Sequence, residues 1–336
     1  MRRLACATLA WLASATALAA SAPLTLASWN LQWLADPTAL QAAQFWARCT
    51  AQGLASHGAA ADLPPCDAWR EAGIDSAHAY AQRKLEPVRR TLAALAERRV
   101  DVLALQEVHN TTALQAVLPP GYRVACTTRR ASAQNLAFAL REAAGLQAEC
   151  REIPALSLEH GPHGRALRPG LELTLRRHGH RAALLNLHLK SGCAFGAMDR
   201  EQAHCALLQR QAAPLEDWIE QQAAAGGRFA LLGDWNRDLP SEARDRQPAR
   251  ADGSDARAPL TDATRLRRLW PELNDGAPPA SRLYLARLDR QAAAQHGCHR
   301  LLDHLASNAR GVVAQFVAPA AGASDHCPLV SALPWR

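Results

Sequence analysis

Residues 228–238, RFALLGDWNRD, are the stretch from which the rest of the chain can be read. Phe229, Ala230, Leu231 and Leu232 form the unbroken apolar string expected of a strand covered on both faces. Gly233 then lets the backbone turn where a side chain would crowd. Asp234 and Asn236 stand two residues apart, the spacing that points side chains the same way in extended chain. A carboxylate and a carboxamide presented together at a strand tip can hold an oxygen-preferring metal, a water or a phosphate oxygen. Gly-Asp and Asn also make ordinary turns. The short motif gains meaning because the chain repeats the arrangement.

Going outward, Leu24 to Asn30 (LTLASWN) reads as a strand with a polar tip, and Val100 to Gln106 (VDVLALQ) as a buried strand running into Glu107. Arg181 to Leu189 (RAALLNLHL) puts Asn186 and His188 on one face, with Lys190 just past its end. Leu301 to Ser307 is a strand with Asp303 inside it, and the turn at 324–328 carries Asp325 and His326. Tyr122 to Thr127, Leu136 to Arg141 and Leu171 to Arg176 alternate as antiparallel strands do, and the basic turn 128–135 lies between the first two. Gly311 to Val317 and Leu329 to Leu333 complete the strand set. Two helices are expected: Tyr80 to Arg99, with Leu85, Val88, Leu92 and Leu95 on one face, arginines opposite and Pro87 as a start or kink, and Asp199 to Ala223, interrupted at Pro214. A shorter helix is expected at Thr264 to Trp270.

At 336 residues and 49% hydrophobic positions the chain can bury a large core, as one large α/β domain or two smaller ones. No linker or internal repeat divides it, so residues 23–336 are read as one domain. Met1 to Ala22 has Arg2 and Arg3, an alanine-rich apolar core and Ala-x-Ala sites, the pattern of a secretory leader rather than a membrane anchor. Export, to the periplasm or outside the cell, is therefore expected, with no stable membrane anchor and a monomeric protein. Without Cys6 the cysteines form an even set. Sequence neighbours would pair as Cys49–Cys66, Cys126–Cys150, Cys193–Cys205 and Cys298–Cys327, one of about 105 possible pairings. The close C-x2-C pairs of a zinc cluster are missing. Residues 36–79, with Phe45, Trp46 and Trp69, read as a disulfide-stapled insertion or as a plain surface loop with short helices, and residues 237–295 give no clear pattern. The formal charge of +7 mildly favours anionic partners. Lys84 and Lys190 are the only lysines in an arginine-rich chain, which makes Lys190 conspicuous at its strand end.

The polar tips are Asn30, Glu107, His188, Asp234, Asn236, Asp303, Asp325 and His326. Taken singly, each could be a satisfied polar residue of a strand end. Together they supply carboxylates, carboxamides and histidines suited to metal-assisted hydrolysis of an anionic ester. The segments SWNLQWL, DVLALQEV, LNLHLKS, LLGDWNRD, LLDHLAS and SDHCPL, in that order, resemble the endonuclease/exonuclease/phosphatase superfamily, which includes the pancreatic-type deoxyribonucleases. The resemblance spans nearly the whole mature chain. It implies an α/β fold, a four-layer α/β/β/α sandwich of two mainly antiparallel sheets with outer helices and the site at one edge.

The resemblance further implies Glu107 as principal ligand of a divalent metal, Mg2+ or Mn2+, in one or two ions, helped by Asn30 and Asp325. His326 would be the general base or the histidine that polarises the phosphate, oriented by Asp303. Asp234 and Asn236 would orient the attacking water, and His188 would bind phosphate or act as general acid. Lys190 would add charge at the same phosphate. Family nucleases carry a further phosphate contact between the second and third motifs, for which Arg129, Arg130 and Asn135 are candidates. The expected activity is an exported metal-dependent phosphodiesterase cutting nucleic acid. A sphingomyelinase-type lipid phosphodiesterase or a phosphomonoesterase is the alternative, with Phe45, Trp46 and Trp69 as an exposed apolar patch. A catalytically silent binding module on the same fold is a third reading.

Overall fold

The computed structural model describes residues 22–42, 45–46, 66–130, 132–160, 165–196, 198, 202–244, 268–274, 278–295, 297–298 and 301–335. The secretory leader and Cys49, and hence the Cys49–Cys66 pairing, fall outside these residues, as do 47–65 of the expected insertion.

The strands are β1 (Leu24–Leu34), β2 (Val102–Val108), β3 (Tyr122–Thr127), β4 (Asn135–Arg141), β5 (Gln147–Ile153), a short ribbon of β6 (Glu159–His160) and β7 (Arg165–Ala166), β8 (Gly170–Arg177), β9 (His180–His188), β10 (Arg228–Asp234), β11 (Tyr284–Leu285), β12 (Arg287–Leu288), β13 (Asp303–Ser307), β14 (Val313–Phe316) and β15 (Leu329–Leu333). One sheet has the order β12-β14-β15-β1-β2-β4-β3 and the other β11-β13-β10-β9-β8-β5. Each holds a central parallel pair, β1 with β2 and β9 with β10, flanked by antiparallel neighbours.

The apolar runs read from the sequence arise because both faces of both sheets are covered. Along β2, Val102 and Ala104 point into a core shared with Leu184 of β9 and Ala230 and Leu232 of β10, while Leu103 and Leu105 point outward. The outward face of the first sheet packs on Val88, Leu92 and Leu95 of α1 (Glu86–Glu97). After the short α2 (Thr111–Gln115), the long α3 (Ala203–Ala225) covers the second sheet, setting Leu208, Leu215 and Trp218 against Leu185, Phe229 and Leu231. The layers run helix, sheet, sheet, helix, as the resemblance implies.

Several local expectations change. Pro214 lies inside α3 without ending it. The helix expected from Tyr80 starts as Ala77–Tyr80, continues through a π-helical segment at Ala81–Leu85 and becomes α1 at Glu86, with Pro87 in its first turn. Proline has no N–H to donate back one turn, which accounts for the widened turn before it. The expected Thr264–Trp270 helix is Leu269–Leu273 within the described residues, because 261–267 lie outside them. Phe45 and Trp69 are buried and join Tyr80 in the outer core, with Trp46 edge-on to Phe45. They pack inward because the described part of residues 36–79 has an apolar face of its own to cover; they do not form the exposed patch the lipid reading expected. Among the described residues, three disulfides, Cys126–Cys150, Cys193–Cys205 and Cys298–Cys327, join the expected sequence neighbours and fit an oxidising compartment. Among the described residues no helix is long and apolar enough to cross a membrane.

Candidate active site

Strand register brings the polar tips to one rim. Parallel neighbours end on the same side, so Asp234 of β10 lies beside His188 of β9, and Asn30 of β1 beside Gln106, one residue before Glu107. Antiparallel neighbours bring their beginnings to that side: Asp303 opens β13 opposite Asp234, and the turn holding Asp325 and His326 leads into β15, whose Leu329 pairs with Ser28. The two sheets are pinned together just below the rim by Gln106, whose Nε2 donates to Asn186 Oδ1 at 2.7 Å, and by Asn186, whose Nδ2 donates to the Leu105 and Ala137 carbonyls at 3.0 Å each.

The amide of Asn30 links the two central carboxylates: its Nδ2 donates to Glu107 Oε1 and to Asp234 Oδ2, each at 3.1 Å, while its Oδ1 accepts from the Gln32 amide at 2.9 Å. The nitrogen of Asn30 thus faces the carboxylates, and serving as an oxygen ligand would require its amide to turn over. Glu107 Oε2 accepts the Trp33 amide at 3.1 Å. That contact needs Gln32 and Trp33 in left-handed backbone at φ 47° and 65°, where β1 bulges after Asn30, and Glu107 itself sits at φ 58°. His188 Nε2 lies 3.7 Å from Glu107 Oε1 and 3.6 Å from Asp234 Oδ2. His326 Nε2 is 3.9 Å from the same Asp234 oxygen and 4.0 Å from Asp325 Oδ1, and its Nδ1 is 2.6 Å from Asp303 Oδ2.

The backbone around His326 is anchored to β1. Trp29 Nε1 donates to the His326 carbonyl at 2.9 Å, Ser324 Oγ donates to the Asn30 carbonyl at 2.7 Å and accepts the His326 amide at 3.0 Å. Gly233 is required for a different reason from the turn expected of it. It lies at φ 140°, and a Cβ there would stand 2.1 Å from the Leu187 carbonyl oxygen, so β9 and β10 could not approach. Asp234 and Asn236 do not continue as extended chain either. Asp234 Oδ1 accepts the Asn236 amide at 2.8 Å, an Asx turn with Asn236 at φ 51°, and Asn236 Nδ2 donates to the Leu189 carbonyl at 3.0 Å. Asn236 therefore steadies Asp234 and the end of β9 together.

The electrostatics divide the roles. For His326, burial alone would favour the neutral ring, but the Asp303 charge and hydrogen bond, with Asp234 and Asp325, push it up to about 10. His188 moves the other way: burial, then Arg168, His326 and Lys190, hold it well below its usual range and keep it neutral. Burial and the Asp303 charge raise Asp234 to about 7, against His326 and the bonds from Asn236 and Asn30. Burial also raises Glu107, offset by Asn30, Arg168 and His326.

Arg168 escaped the sequence reading. Its Nε donates to the His188 carbonyl at 2.9 Å and its Nη2 to the Leu189 carbonyl at 2.7 Å, and its charge reaches Glu107 and Asp234. Register contained the signal: β8 pairs Leu171 with Asn186, so stepping back three residues places Arg168 beside the tip of β9. Lys190 follows that tip, with its Nζ on the Ser191 carbonyl. Two expected phosphate contacts stand elsewhere. Asn135 is consumed in closing its own loop, accepting from Thr128 and Arg130 and donating to the His109, Arg130 and Ser132 carbonyls. Arg129 lines a separate cleft of about 700 Å³ along β3 and α2.

Among the described residues no three acidic, His or Cys side chains form a ready-made metal cage. The chemistry here suits a hard cation all the same. Magnesium takes one or two carboxylates and keeps several waters, and Glu107 is a buried carboxylate whose ionisation burial opposes. With Asp325 open to solvent near His326, the oxygens needed for such an ion are present.

The model of the Endonuclease/Exonuclease/phosphatase family matches residues 27–326. TDP2 from C. elegans superposes with a TM-score of 0.50 at 14% identity, covering 92% of this chain and 74% of that one. The AP endonuclease LMAP from Leishmania major does so at 0.43 and 16% identity, covering 94% and 88%. D. rerio TDP2 complexed with single strand DNA product gives 0.44 at 13% identity, covering 92% and 98%. At 14% identity the likeness to C. elegans TDP2 speaks for the fold alone. No curated protein sequence matches the chain significantly.

Proposed function

Because the chain belongs to the Endonuclease/Exonuclease/phosphatase family, we propose that it is an exported, divalent-metal-dependent phosphodiesterase whose substrate is nucleic acid. The observation that carries this reading is a pair of buried carboxylates, Glu107 and Asp234, bridged by one amide and flanked by two histidines of opposite charge state. A purely structural network has little use for such a division.

In the proposed reaction a scissile phosphate sits between His326, His188 and Glu107. His326, held charged by Asp303, donates its Nε2 proton bond to a phosphoryl oxygen. Asp234, raised to about 7, is poised to take a proton from an attacking water as the water oxygen bonds phosphorus and the P–O bond opposite it breaks. The departing oxygen is protonated from solvent, and the Asn236 backbone amide fixes the Asp234 carboxylate for its task. Neutral His188 offers a second hydrogen bond to the phosphate, while Arg168 steadies the carbonyl end of β9 and adds positive charge. Glu107 and Asp325 would hold a divalent ion, which would supply Lewis-acid stabilisation of negative charge on the phosphate. Asn30, in its present orientation, spaces Glu107 from Asp234.

Basic net charge supports a polyanionic substrate. The lipid reading loses its main support with Phe45 and Trp69 buried. Mature protein incubated with plasmid DNA, RNA, sphingomyelin and a small phosphomonoester, with and without EDTA, tests the proposal. Nicking of DNA that stops with chelator and with Glu107→Ala is the expected result. Lipid cleavage with DNA left intact would overturn it.

A further inference from the structure

A cleft of about 510 Å³ is lined by Gln32 and Trp33 of the β1 end, by Arg83, Lys84 and Arg90, and by Trp69. Two of the lining segments are irregular. Gln32 and Trp33 are the left-handed residues of the β1 bulge, and Arg83 and Lys84 belong to the π-helical segment ahead of Pro87. Two unrelated departures from regular backbone, from strand and from helix, face the same space.

The cleft is joined to the candidate site through its walls. The Trp33 amide binds Glu107 while its half-buried indole lines the cleft. Buried Lys84 donates its Nζ to the Ala323 carbonyl at 2.5 Å, holding the segment that runs on to Asp325 and His326. Gly322 of that segment lies against the Arg83 carbonyl, where a Cβ would come within 2.8 Å.

Arg83 and Arg90 are exposed side chains that both line the cleft, and Arg83 Nη1 also donates to the Ala72 carbonyl at 3.2 Å. An aromatic ring and two cations lining one cleft suit a nucleotide: a base stacks on the ring while phosphate oxygens meet the arginines. The same cations repel the quaternary ammonium of a choline headgroup.

We propose that this cleft is a subsite for the nucleotides flanking the scissile phosphate, with a base on Trp33 and backbone phosphates on Arg83 and Arg90. The assignment rests on the phosphodiesterase reading and makes the enzyme one that prefers oligonucleotides to isolated phosphodiesters.

The test compares wild type with the double variant Arg83→Gln/Arg90→Gln on a tetranucleotide and on bis(p-nitrophenyl) phosphate, which has no flanking phosphate. The expected result is a rise in KM for the tetranucleotide of about tenfold or more relative to that for the chromogenic diester, and a salt dependence of log KM shallower by about 1 to 2. An equal change on both substrates, or none on either, would overturn the subsite. Anisotropy of a labelled tetranucleotide in EDTA separates this from failure of the parent reading. If wild type cleaves neither substrate, affinity at least about tenfold weaker in the double variant still supports the subsite, and unchanged affinity removes it.

Discussion

Replacing Asp303 by Asn keeps the size of the side chain and removes its charge, which makes it a sharp probe of the proposed roles. Asp303 Oδ2 lies 2.6 Å from His326 Nδ1, inside the core, and is the largest influence raising that histidine. Without it, burial is opposed only by the charges of Asp234 and Asp325, and His326 should fall well below about 10. The whole shift from 6.5 to about 10 amounts to about 5 kcal/mol of preference for the charged ring, and Asp303 supplies the largest share of what raises it. A neutral His326 would lose the electrostatic grip on the phosphate, so kcat should drop by about 10²- to 10⁴-fold at pH 7. The group is raised in the folded state, so its stabilising contribution is complete below pH 6.5 and disappears as pH rises through about 10. The stability gap between wild type and variant should therefore be widest in acid. NMR titration of the His326 ring alongside kcat measures both effects. Activity within threefold of wild type, or a ring that still titrates above 8, would refute the reasoning.

Three further outcomes are expected. The pH profile of kcat/KM should be bell-shaped, rising as Asp234 ionises near 7 and falling as His326 loses its proton near 10, and Asp234→Asn should abolish activity rather than shift the profile. Gly233→Ala should destabilise the fold by roughly 3 kcal/mol or more in urea melts, since its Cβ would meet the Leu187 carbonyl at 2.1 Å on a backbone at φ 140°. Removing Cys298–Cys327 by paired Ser substitutions should cost about 2–5 kcal/mol and lower activity, because Cys327 adjoins His326; equal melting of the two proteins would contradict it.

How much of this was legible depended on whether the signal was local. Apolar strings such as Phe229 to Leu232 announced strands buried on both faces, and each polar tip stood at the end of such a string, so the layers and most of the converging side chains followed. The roles of Gly233, Asn30 and Arg168 depend on register. Gly233 matters through the Leu187 carbonyl, Asn30 through the side chains of two other strands, and Arg168 through its place across from the tip of β9. Sequence spacing within one strand carries none of that. Asn135 misled for the opposite reason: its residue type suits a phosphate contact, but its loop uses every polar atom it has. The edge strand β5, Gln147–Ile153, was overlooked because one solvent-facing side leaves it too polar to stand out.

The central claim is that residues delivered by two sheets act on one phosphorus centre. A double-mutant cycle in kcat with Glu107→Gln and His326→Gln tests it most directly, since groups that act as a unit lose their effects together. Single-turnover cleavage of plasmid DNA in Mn2+ should be slowed in the double variant to within about tenfold of the slower single variant. Losses that multiply in full would place Glu107 and His326 in separate tasks and contradict the account.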